Sequence, residues 1–574
     1  GRYDEAREAA SKALEFATGT PFTGAVARAH VILAEIQIAQ GELQGADERL
    51  RKAVAIARKA PNDENGLVVS LLTLGKLQLR MGRFAEARAV ADEIVSLSAQ
   101  YDFPFPERYD ALVLAARAER GLGHREQAIA MYQTAIDAIE AARHAVAGSE
   151  RQQRLFFEPF HSAYTEVADL LLEKGSVAEA LTFAERAKGR VLLDAIGRER
   201  KSVEEALSRS DRERLAKLVK SLGEANQRVL ALQAKKDTPA DALDEAVAHQ
   251  RLAQHELARF DAEIAGRDPR LRSVRASSTI VNAADIASLV ERPDFAILEF
   301  IVQERVTHLL IVERRGITHR RIEVASADLD KRIDAFRGEL ASRNLRYRNS
   351  ARALYDLLLA PAAAQLKGKR VLAIVPDNVL WRLPFEALLA PDRRFVIERA
   401  ACFYIPSITI YRDMLARQEQ APGTDLVAAF GNPALEGTRD NVSAIYRSVD
   451  LGPLPEAEEE VHAIAKTWGP STFVYTRDAA REDAARMEMQ RARVVHFAAH
   501  GIFDDVNPMF SQIVLARDSG SQDDGVLQAW ELMRLDLAAD LVVLSACDTA
   551  RGQYGAGEGL IGMSWALFAG GCPS

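Results

Sequence analysis

The sequence has 574 residues with a formal net charge of −8 at pH 7, and its pI is near 5.9. This acidic balance argues against generic binding to nucleic acids or to anionic membranes. The chain has three cysteines and no apolar run near the roughly 20 residues that span a bilayer, so we expect a cytoplasmic protein of two to four domains without a disulfide framework.

A repeat occupies the first part of the chain, residues 1–195. Glycines recur every 40 to 41 residues, with one longer interval of 52, and an alanine follows each glycine by five residues. These glycines are Gly1, Gly41, Gly82, Gly123 and Gly175. Small residues at fixed offsets allow two helices to approach closely, and a glycine suits the turn between them. The pattern resembles the tetratricopeptide repeat family in a long-period form, which implies an α-solenoid of helical hairpins.

Stacked helix pairs form a superhelix whose concave face commonly holds a peptide or a partner helix. The resemblance therefore implies that the array binds a protein or nucleoprotein activator, and a spacer or dimer scaffold is the alternative.

Residues 196–270 follow the array and are rich in Ala, Glu, Leu, Lys and Arg, without a strand pattern. This composition predicts a long, solvated helical hairpin that connects the array to the rest of the chain.

From residue 275 to residue 574 the periodicity becomes that of an α/β domain. Runs at 295–301, 307–312 and 317–324 predict a small antiparallel meander. Further strands are predicted near 370–377, 402–405, 426–430, 472–475, 494–499, 512–516 and 541–546. Helical segments lie between several of them, and this alternation predicts a mostly parallel sheet.

Two of these apolar runs stop at reactive side chains. The run at 494–499 leads to His500, and the run at 541–546 leads to Cys547, 47 positions after His500. Apolar runs rich in β-branched residues are typical of buried parallel strands. If the two strands are neighbours, His500 and Cys547 leave the sheet at the same edge, where ligands of open α/β sheets bind. A thiol nucleophile and its general base require this proximity.

Six motifs in a fixed order extend this interpretation. They are Val375-Pro376-Asp377, Leu383-Pro384-Phe385, Phe430-Gly431-Asn432-Pro433, Pro455-Glu456-Ala457-Glu458-Glu459-Glu460, His496-Phe497-Ala498-Ala499-His500-Gly501 and Leu544-Ser545-Ala546-Cys547-Asp548-Thr549. In this order, behind such repeats, they resemble the CHAT domain, a caspase-like cysteine peptidase family with relatives that include separase. The resemblance covers residues 283–574. It implies a caspase-type fold with a catalytic dyad of His500 and Cys547, a spacing close to the caspase rule.

The chemistry of these side chains agrees with that role. An imidazole can take the proton of a thiol and later return it to a leaving amine. The backbone N–H groups of Gly501 and Cys547 are candidate donors to the developing oxyanion. His496 lies about 13 Å from His500 along an extended strand, too far for both to bind one ion. We expect His496 to be a core histidine with a satisfied hydrogen bond, and we expect neither a cofactor nor a metal.

Specificity is predicted from nearby acids. Some caspase-fold peptidases that cut after basic residues place an acid two positions before the Cys, whereas Ser545 occupies that position here. Asp504, Asp505 and Asp548 are close enough in sequence to line a substrate pocket together with Ser545. We therefore predict cleavage of a protein substrate after Arg or Lys.

The sequence as a whole predicts a cysteine endopeptidase regulated by a partner that binds the repeats. A catalytically silent scaffold with the same two modules is the alternative, and a Cys–His acyl transferase is a third hypothesis. The chain begins at Gly1 with half a repeat and ends at Ser574, where a CHAT domain would continue into a further strand. We expect the natural protein to extend beyond both ends.

Overall fold

The computed structural model describes residues 3–18, 23–60, 63–101, 105–145, 158–189, 192–193, scattered positions from 208 to 263, and then 280–420, 424–436, 438, 451–502, 508–517, 523–545, 553–555 and 559–574. The chain divides into two compact units, and the boundary between Phe183 and Ala184 falls inside a helix.

The first unit is helical throughout its described residues. The helices are α1 (Tyr3–Ala17), α2 (Thr23–Gln40), α3 (Leu43–Ala57), α4 (Glu64–Arg80), α5 (Phe84–Gln100), α6 (Phe105–Gly121), α7 (Arg125–Ala145), α8 (His161–Lys174) and α9 (Val177–Ala187), the last of which continues into the second unit. Pairs α2–α3, α4–α5, α6–α7 and α8–α9 form hairpins with turns of two to three residues. The predicted α-solenoid of tetratricopeptide type is confirmed.

The repeating glycines explain these short turns. Gly41, Gly82, Gly123 and Gly175 each lie between the two helices of a hairpin, with φ between 72° and 86°. This left-handed conformation is unfavourable for residues with a Cβ, so the repeat keeps a glycine there. The alanine five residues later is fully buried in each hairpin, where only a small side chain allows the helices to meet.

A second small residue sets the distance between α4 and α6. A Cβ built on Gly75 would lie 2.4 Å from Cδ2 of Leu114, which is itself only 2% exposed. The two helices therefore meet at a contact that leaves no room for a methyl group. Close packing of this kind makes the stack of helices sensitive to added volume.

The second unit contains strands and helices in alternation. After α10 (Ala283–Leu289), the described strands are β1 (Phe295–Val302), β2 (Thr307–Glu313), β3 (Gly316–Ile322), β4 (Val371–Val375), β5 (Ala401–Tyr404), β6 (Thr424–Pro433), β7 (Thr472–Arg477), β8 (Ala492–Ala498), β9 (Gly501–Ile502), β10 (Gln512–Val514), β11 (Val526–Gln528), β12 (Leu541–Leu544), β13 (Gln553–Gly555) and β14 (Gly559–Ile561). The helices among them are α11 (Ser326–Ala341), α12 (Tyr347–Leu358), α13 (Ala363–Leu366), α14 (Ile408–Gln420), α15 (Pro455–Trp468), α16 (Glu482–Met489), α17 (Ala529–Leu532) and α18 (Met563–Gly570).

These strands form two main sheets. The first has the order β3-β2-β1-β4-β5, in which β1, β2 and β3 are the predicted antiparallel meander and β4 and β5 run parallel to β1. The second has the order β12-β8-β6-β7 and is parallel at every pairing. The predicted α/β domain with a mostly parallel sheet is therefore confirmed. Two small antiparallel sheets, β11-β10-β9 and β13-β14, accompany them.

Apolar side chains cover both faces of the second sheet. On one face Phe430 and Phe497 stack with their ring centroids 5.2 Å apart, inside a large apolar cluster of this unit. On the other face Val461 of α15 packs against Ala429 and Ala498. The residues of β8 from Val495 to Ala498 are buried and form a continuous apolar run, which is why this strand was recognisable in the sequence.

Two charged side chains that precede the sheets are buried within the second unit. The Glu185 carboxylate accepts hydrogen bonds from the N–H groups of Ile408 (2.8 Å) and Thr409 (2.7 Å), and from the Thr409 hydroxyl (2.6 Å). It thereby caps the first turn of α14, where backbone donors lack helical partners. Lys188 is 3.0 Å from Glu299 on β1, and both are buried.

The predicted connector at 196–270 lies mostly outside the described residues. Described positions from Ser210 to Glu263 are helical. Arg214 forms an ion pair with Glu263 at 2.9 Å and lies over the Phe260 ring at 5.2 Å from its centroid. These contacts join positions far apart in sequence, as a helical hairpin would.

No helix within the described parts of the chain has the length and hydropathy needed to cross a membrane.

Candidate active site

The two strands that lead to the predicted dyad are direct neighbours. β8 and β12 pair in parallel, with Leu544 beside Phe497, and the Ser545 N–H donates to the Phe497 carbonyl at 2.8 Å. His500 follows the end of β8 by two residues. Cys547 follows the end of β12 by three residues but lies outside the described residues. The distance from His500 to Cys547 therefore stays a prediction.

The ring of His500 is held by a backbone carbonyl. Its Nε2 atom lies 2.8 Å from the Gly452 oxygen. A carbonyl oxygen only accepts hydrogen bonds, so Nε2 carries the proton and, in the neutral ring, Nδ1 keeps the basic lone pair. The main chain is fixed as well, because the Val514 N–H donates to the His500 carbonyl at 2.9 Å. The half-buried ring is thus oriented with a defined tautomer.

Asn432 positions the segment that carries the Gly452 carbonyl. Its Oδ1 atom accepts from the Leu454 N–H at 2.8 Å, and its Nδ2 donates to Glu458 at 2.7 Å. The hydrogen bond from Asn432, supported by Arg477, lowers the pKa of Glu458. Asn432 itself is 2% exposed and has a positive φ of 49°, which is more common for Asn than for other residues with a Cβ. One buried amide therefore links β6, the Gly452 segment and α15.

A second network joins β8, α15 and the end of β12. Glu460 accepts a hydrogen bond at each of its carboxylate oxygens, from His496 Nε2 at 2.8 Å and from Ser545 Oγ at 3.4 Å. His496 is 8% exposed, which confirms that it is a core histidine with a satisfied hydrogen bond. The Glu460 side chain, by contrast, is 41% exposed.

Glu460 and Gly452 are site residues that the sequence interpretation missed. Gly452 acts through its main-chain carbonyl, which carries no residue-type signal. The position of Glu460 could have been inferred from the sequence. Pro455 fixes the start of α15, and Ala457, Val461 and Ile464 are spaced as the apolar stripe by which this helix packs on the sheet. Glu460 borders that stripe.

The structure places the predicted pocket and oxyanion residues only in part. Ser545 is exposed at the end of β12, and Gly501 pairs with Ile513 in the small β9–β10 sheet. Asp504, Asp505 and Asp548 lie outside the described residues. Their roles in a substrate pocket, and those of Gly501 and Cys547 as oxyanion donors, stay predictions.

The other two cysteines are unsuited to nucleophilic chemistry. Burial raises the pKa of the Cys402 thiol to about 11 and that of the Cys572 thiol to about 12. Because the thiolate is the reactive form, both remain protonated and unreactive at neutral pH. Within the described ranges, no three His, Cys, Asp or Glu side chains are grouped as metal ligands would be.

Helices α1, α2 and α4 of the first unit surround a concave surface. A concavity of about 500 Å³ lies among α1, α2 and the start of α4. Its lining includes Ala10, Arg28, Ile32 and Asp63, and the Ile32 side chain is 42% exposed. A partly apolar hollow with charged residues at its edge is suited to a peptide segment.

Comparison with known proteins assigns both modules. Residues 348–574 match the CHAT domain, and residues 25–100 match the tetratricopeptide repeat. A search of curated proteins finds no match.

Three solved structures show weak likeness. BtubC (BKLC) from P. vanneervenii is 18% identical over 48% of this chain and 93% of its own, with a TM-score of 0.28. A Podosopora anserina kinesin light chain with nearly identical TPR-like repeats is 23% identical over 33% and 86%, with a TM-score of 0.27. The Saccharomyces cerevisiae separase–securin complex is 11% identical over 96% and 50%, with a TM-score of 0.29. Such TM-scores support no argument about mechanism.

Proposed function

We propose that this chain, which carries tetratricopeptide repeats ahead of a caspase-like CHAT domain, is a partner-regulated cysteine endopeptidase acting through His500 and Cys547. The observation that carries the proposal is the hydrogen bond from His500 Nε2 to the Gly452 carbonyl, 2.8 Å long. This hydrogen bond leaves Nδ1 of a half-buried imidazole free to act as the base. The imidazole lies just after the carboxyl end of β8, and β8 pairs with the strand that leads to Cys547.

In the proposed reaction, His500 Nδ1 takes the proton of the Cys547 thiol. The sulfur then forms a bond to the carbonyl carbon of the scissile peptide, and the N–H groups of Gly501 and Cys547 stabilise the oxyanion. The C–N bond breaks as the imidazolium gives its proton to the leaving amine. Water, deprotonated by His500, adds to the thioester, and the proton returns to sulfur as the acid product leaves.

The repeats have the general character of a protein-binding module, and we propose that a protein or nucleoprotein partner bound there controls the peptidase. The concavity lined by Ile32 and Asp63 is the surface proposed for this contact. The chain's acidic charge disfavours direct, generic binding to nucleic acid. We place the reaction in the cytoplasm.

A thiol-directed peptidyl probe tests the catalytic proposal. The full chain, with and without lysate as a source of partner, should be labelled at Cys547, as located by mass spectrometry. Labelling should vanish in Cys547→Ala, fall strongly in His500→Ala and persist in the matched control Cys402→Ala. Comparison of new protein termini between wild type and Cys547→Ala then identifies substrates. Absence of Cys547 labelling under every condition would instead support a silent scaffold.

A further inference from the structure

Two arginine-rich segments lie side by side on the surface of the second unit. Residues 343–352, around the start of α12, contain four arginines and no acid, and residues 392–399 contain three arginines and two acids. The rings of Tyr347 and Phe395 join the segments, because they stack with their centroids 6.4 Å apart. The guanidinium of Arg348 lies 5.8 Å from the centroid of the first ring and 5.7 Å from that of the second. We call the arginines of these two segments the arginine surface.

Much of the positive charge of the arginine surface has no acidic partner. Asp392 pairs with Arg394 at 3.0 Å and with Arg399 at 3.4 Å, and Asp356 pairs with Arg352 at 2.8 Å. Four exposed arginines form no ion pair with any carboxylate among the residues that the structure describes: Arg343, Arg346, Arg348 and Arg393. This local excess of positive charge is opposite in sign to the net charge of −8 on the whole chain.

Two of these arginines occupy backbone positions that favour glycine. Arg343 follows the C-terminal cap of α11 with a φ of 53°, and Arg393 has a φ of 64° in the turn from Ala390 to Arg394. Left-handed backbone is costly for a residue with a Cβ, and glycine is the usual residue at both kinds of position. Because both side chains are exposed, packing does not explain the choice of arginine. Backbone strain of this kind is typical of functional sites.

The exposed apolar groups beside these arginines are aliphatic. The Leu345 side chain is 80% exposed and that of Ile397 is 55% exposed, and each lies two residues from one of the stacked rings. Tyr347 and Phe395 themselves are partly buried and contact each other and Arg348. Single-stranded nucleic acid is commonly bound on open aromatic rings, on which the bases stack. Guanidinium groups next to aliphatic side chains are better suited to the carboxylates and apolar residues of a peptide.

We propose that the arginine surface binds an acidic segment of a protein partner, in which Asp or Glu residues are interspersed with Leu or similar aliphatic residues. Carboxylates of this segment pair with Arg343, Arg346 and Arg393, and its aliphatic side chains pack on Leu345 and Ile397. The second unit thereby has a contact surface of its own, in addition to the one proposed on the repeats. This inference does not depend on the peptidase chemistry.

Fluorescence anisotropy with the full chain tests the inference. The fluorescein-labelled probes are a short peptide of Asp, Glu and Leu, the same peptide with Ser in place of Leu, and a short oligouridylate of similar charge. Wild type should bind the Leu peptide most tightly. Arg343→Gly combined with Arg393→Gly should weaken this binding about 3- to 30-fold through the loss of two exposed ion pairs. The melting temperature should not fall, because glycine suits both backbone conformations. Leu345→Ser should weaken binding of the Leu peptide about 3- to 10-fold and leave that of the Ser peptide unchanged.

The matched control is Arg305→Gly combined with Arg314→Gly, which removes two exposed arginines from the turns of the antiparallel meander. It should leave the affinity for the Leu peptide unchanged. Equal affinity of this peptide for wild type and for the variant with glycine at 343 and 393 would overturn the inference. Tighter binding of the oligouridylate, or no binding of the peptide to wild type, would overturn it as well. If the glycine variant melts at a lower temperature, Leu345→Ser decides, and unchanged binding of the Leu peptide there overturns the inference.

Discussion

Removal of the Glu185 carboxylate should destabilise the second unit by several kilocalories per mole. The carboxylate accepts from the N–H groups of Ile408 and Thr409, and all three residues are fully buried. In Glu185→Ala both amides lose their acceptor, and a buried donor without a partner costs about 1–3 kcal/mol. We therefore expect the free energy of unfolding to fall by about 2–6 kcal/mol.

The four tryptophans provide a selective assay. Trp381, Trp468, Trp530 and Trp565 all lie in the second unit, so urea unfolding followed by tryptophan fluorescence reports that unit and not the repeats. The control is Glu291→Ala, which removes an exposed carboxylate of the same unit and should change stability by less than about 0.5 kcal/mol. A loss of the same small size in Glu185→Ala would refute the reasoning, since it would mean that water satisfies both amides.

Three further predictions follow from buried groups. Burial raises the pKa of Glu299 from 4.5 to about 8, so the folded protein binds this proton more tightly than the unfolded chain. The resulting stabilisation is fully present at low pH and is lost as the pH rises from about 4.5 to 8. Wild type should lose up to about 1.4 kcal/mol per pH unit across this window, and Glu299→Gln should remove that slope in fluorescence-monitored melts at a series of pH values. Gly75→Ala should lower the melting temperature of the repeats in far-ultraviolet circular dichroism, because overpacking costs about 1–3 kcal/mol and exceeds the gain in helix propensity. Gly338→Ala should instead stabilise its helix, since nothing lies within 4 Å of the added methyl group, and destabilisation there would contradict the packing argument. Asn432→Ala frees the segment whose carbonyl holds the His500 ring, so probe labelling of Cys547, the proposed nucleophile, should slow about 10-fold or more without loss of folded protein. An unchanged rate would contradict the positioning role of Asn432.

The helical hairpins and the parallel sheet were predicted well, because their residue patterns follow directly from backbone geometry and burial. A left-handed turn excludes most side chains, so the repeating glycines and buried alanines specify the hairpins almost by themselves. Apolar runs rich in β-branched residues made β8 and β12 recognisable in the sequence, and their parallel pairing was predicted correctly.

The details of the site were less predictable, because they depend on contacts between distant segments. The Gly452 carbonyl is chemically identical to every other peptide carbonyl, so only the fold selects it as the partner of His500. Glu460 lies in a run of acidic residues, Glu458-Glu459-Glu460, whose members differ in role by their angle around α15. Glu458 binds the Asn432 amide and the Arg477 guanidinium, and Glu459 is exposed. Glu460 accepts a hydrogen bond from Ser545 at the end of β12.

The position of β1 at the centre of the first sheet has a practical consequence for expression of the part of the chain that carries the CHAT domain. A recombinant piece cut at the beginning of the matched CHAT region, residue 348, would lack β1, β2 and β3 and would expose one long side of β4 to solvent. Unpaired strand edges recruit other chains, so we expect such a piece to aggregate. A piece that starts ahead of Glu185 keeps the cap of α14, the Lys188–Glu299 pair and the buried Leu192 and Leu193, and it should remain dispersed at the same concentration.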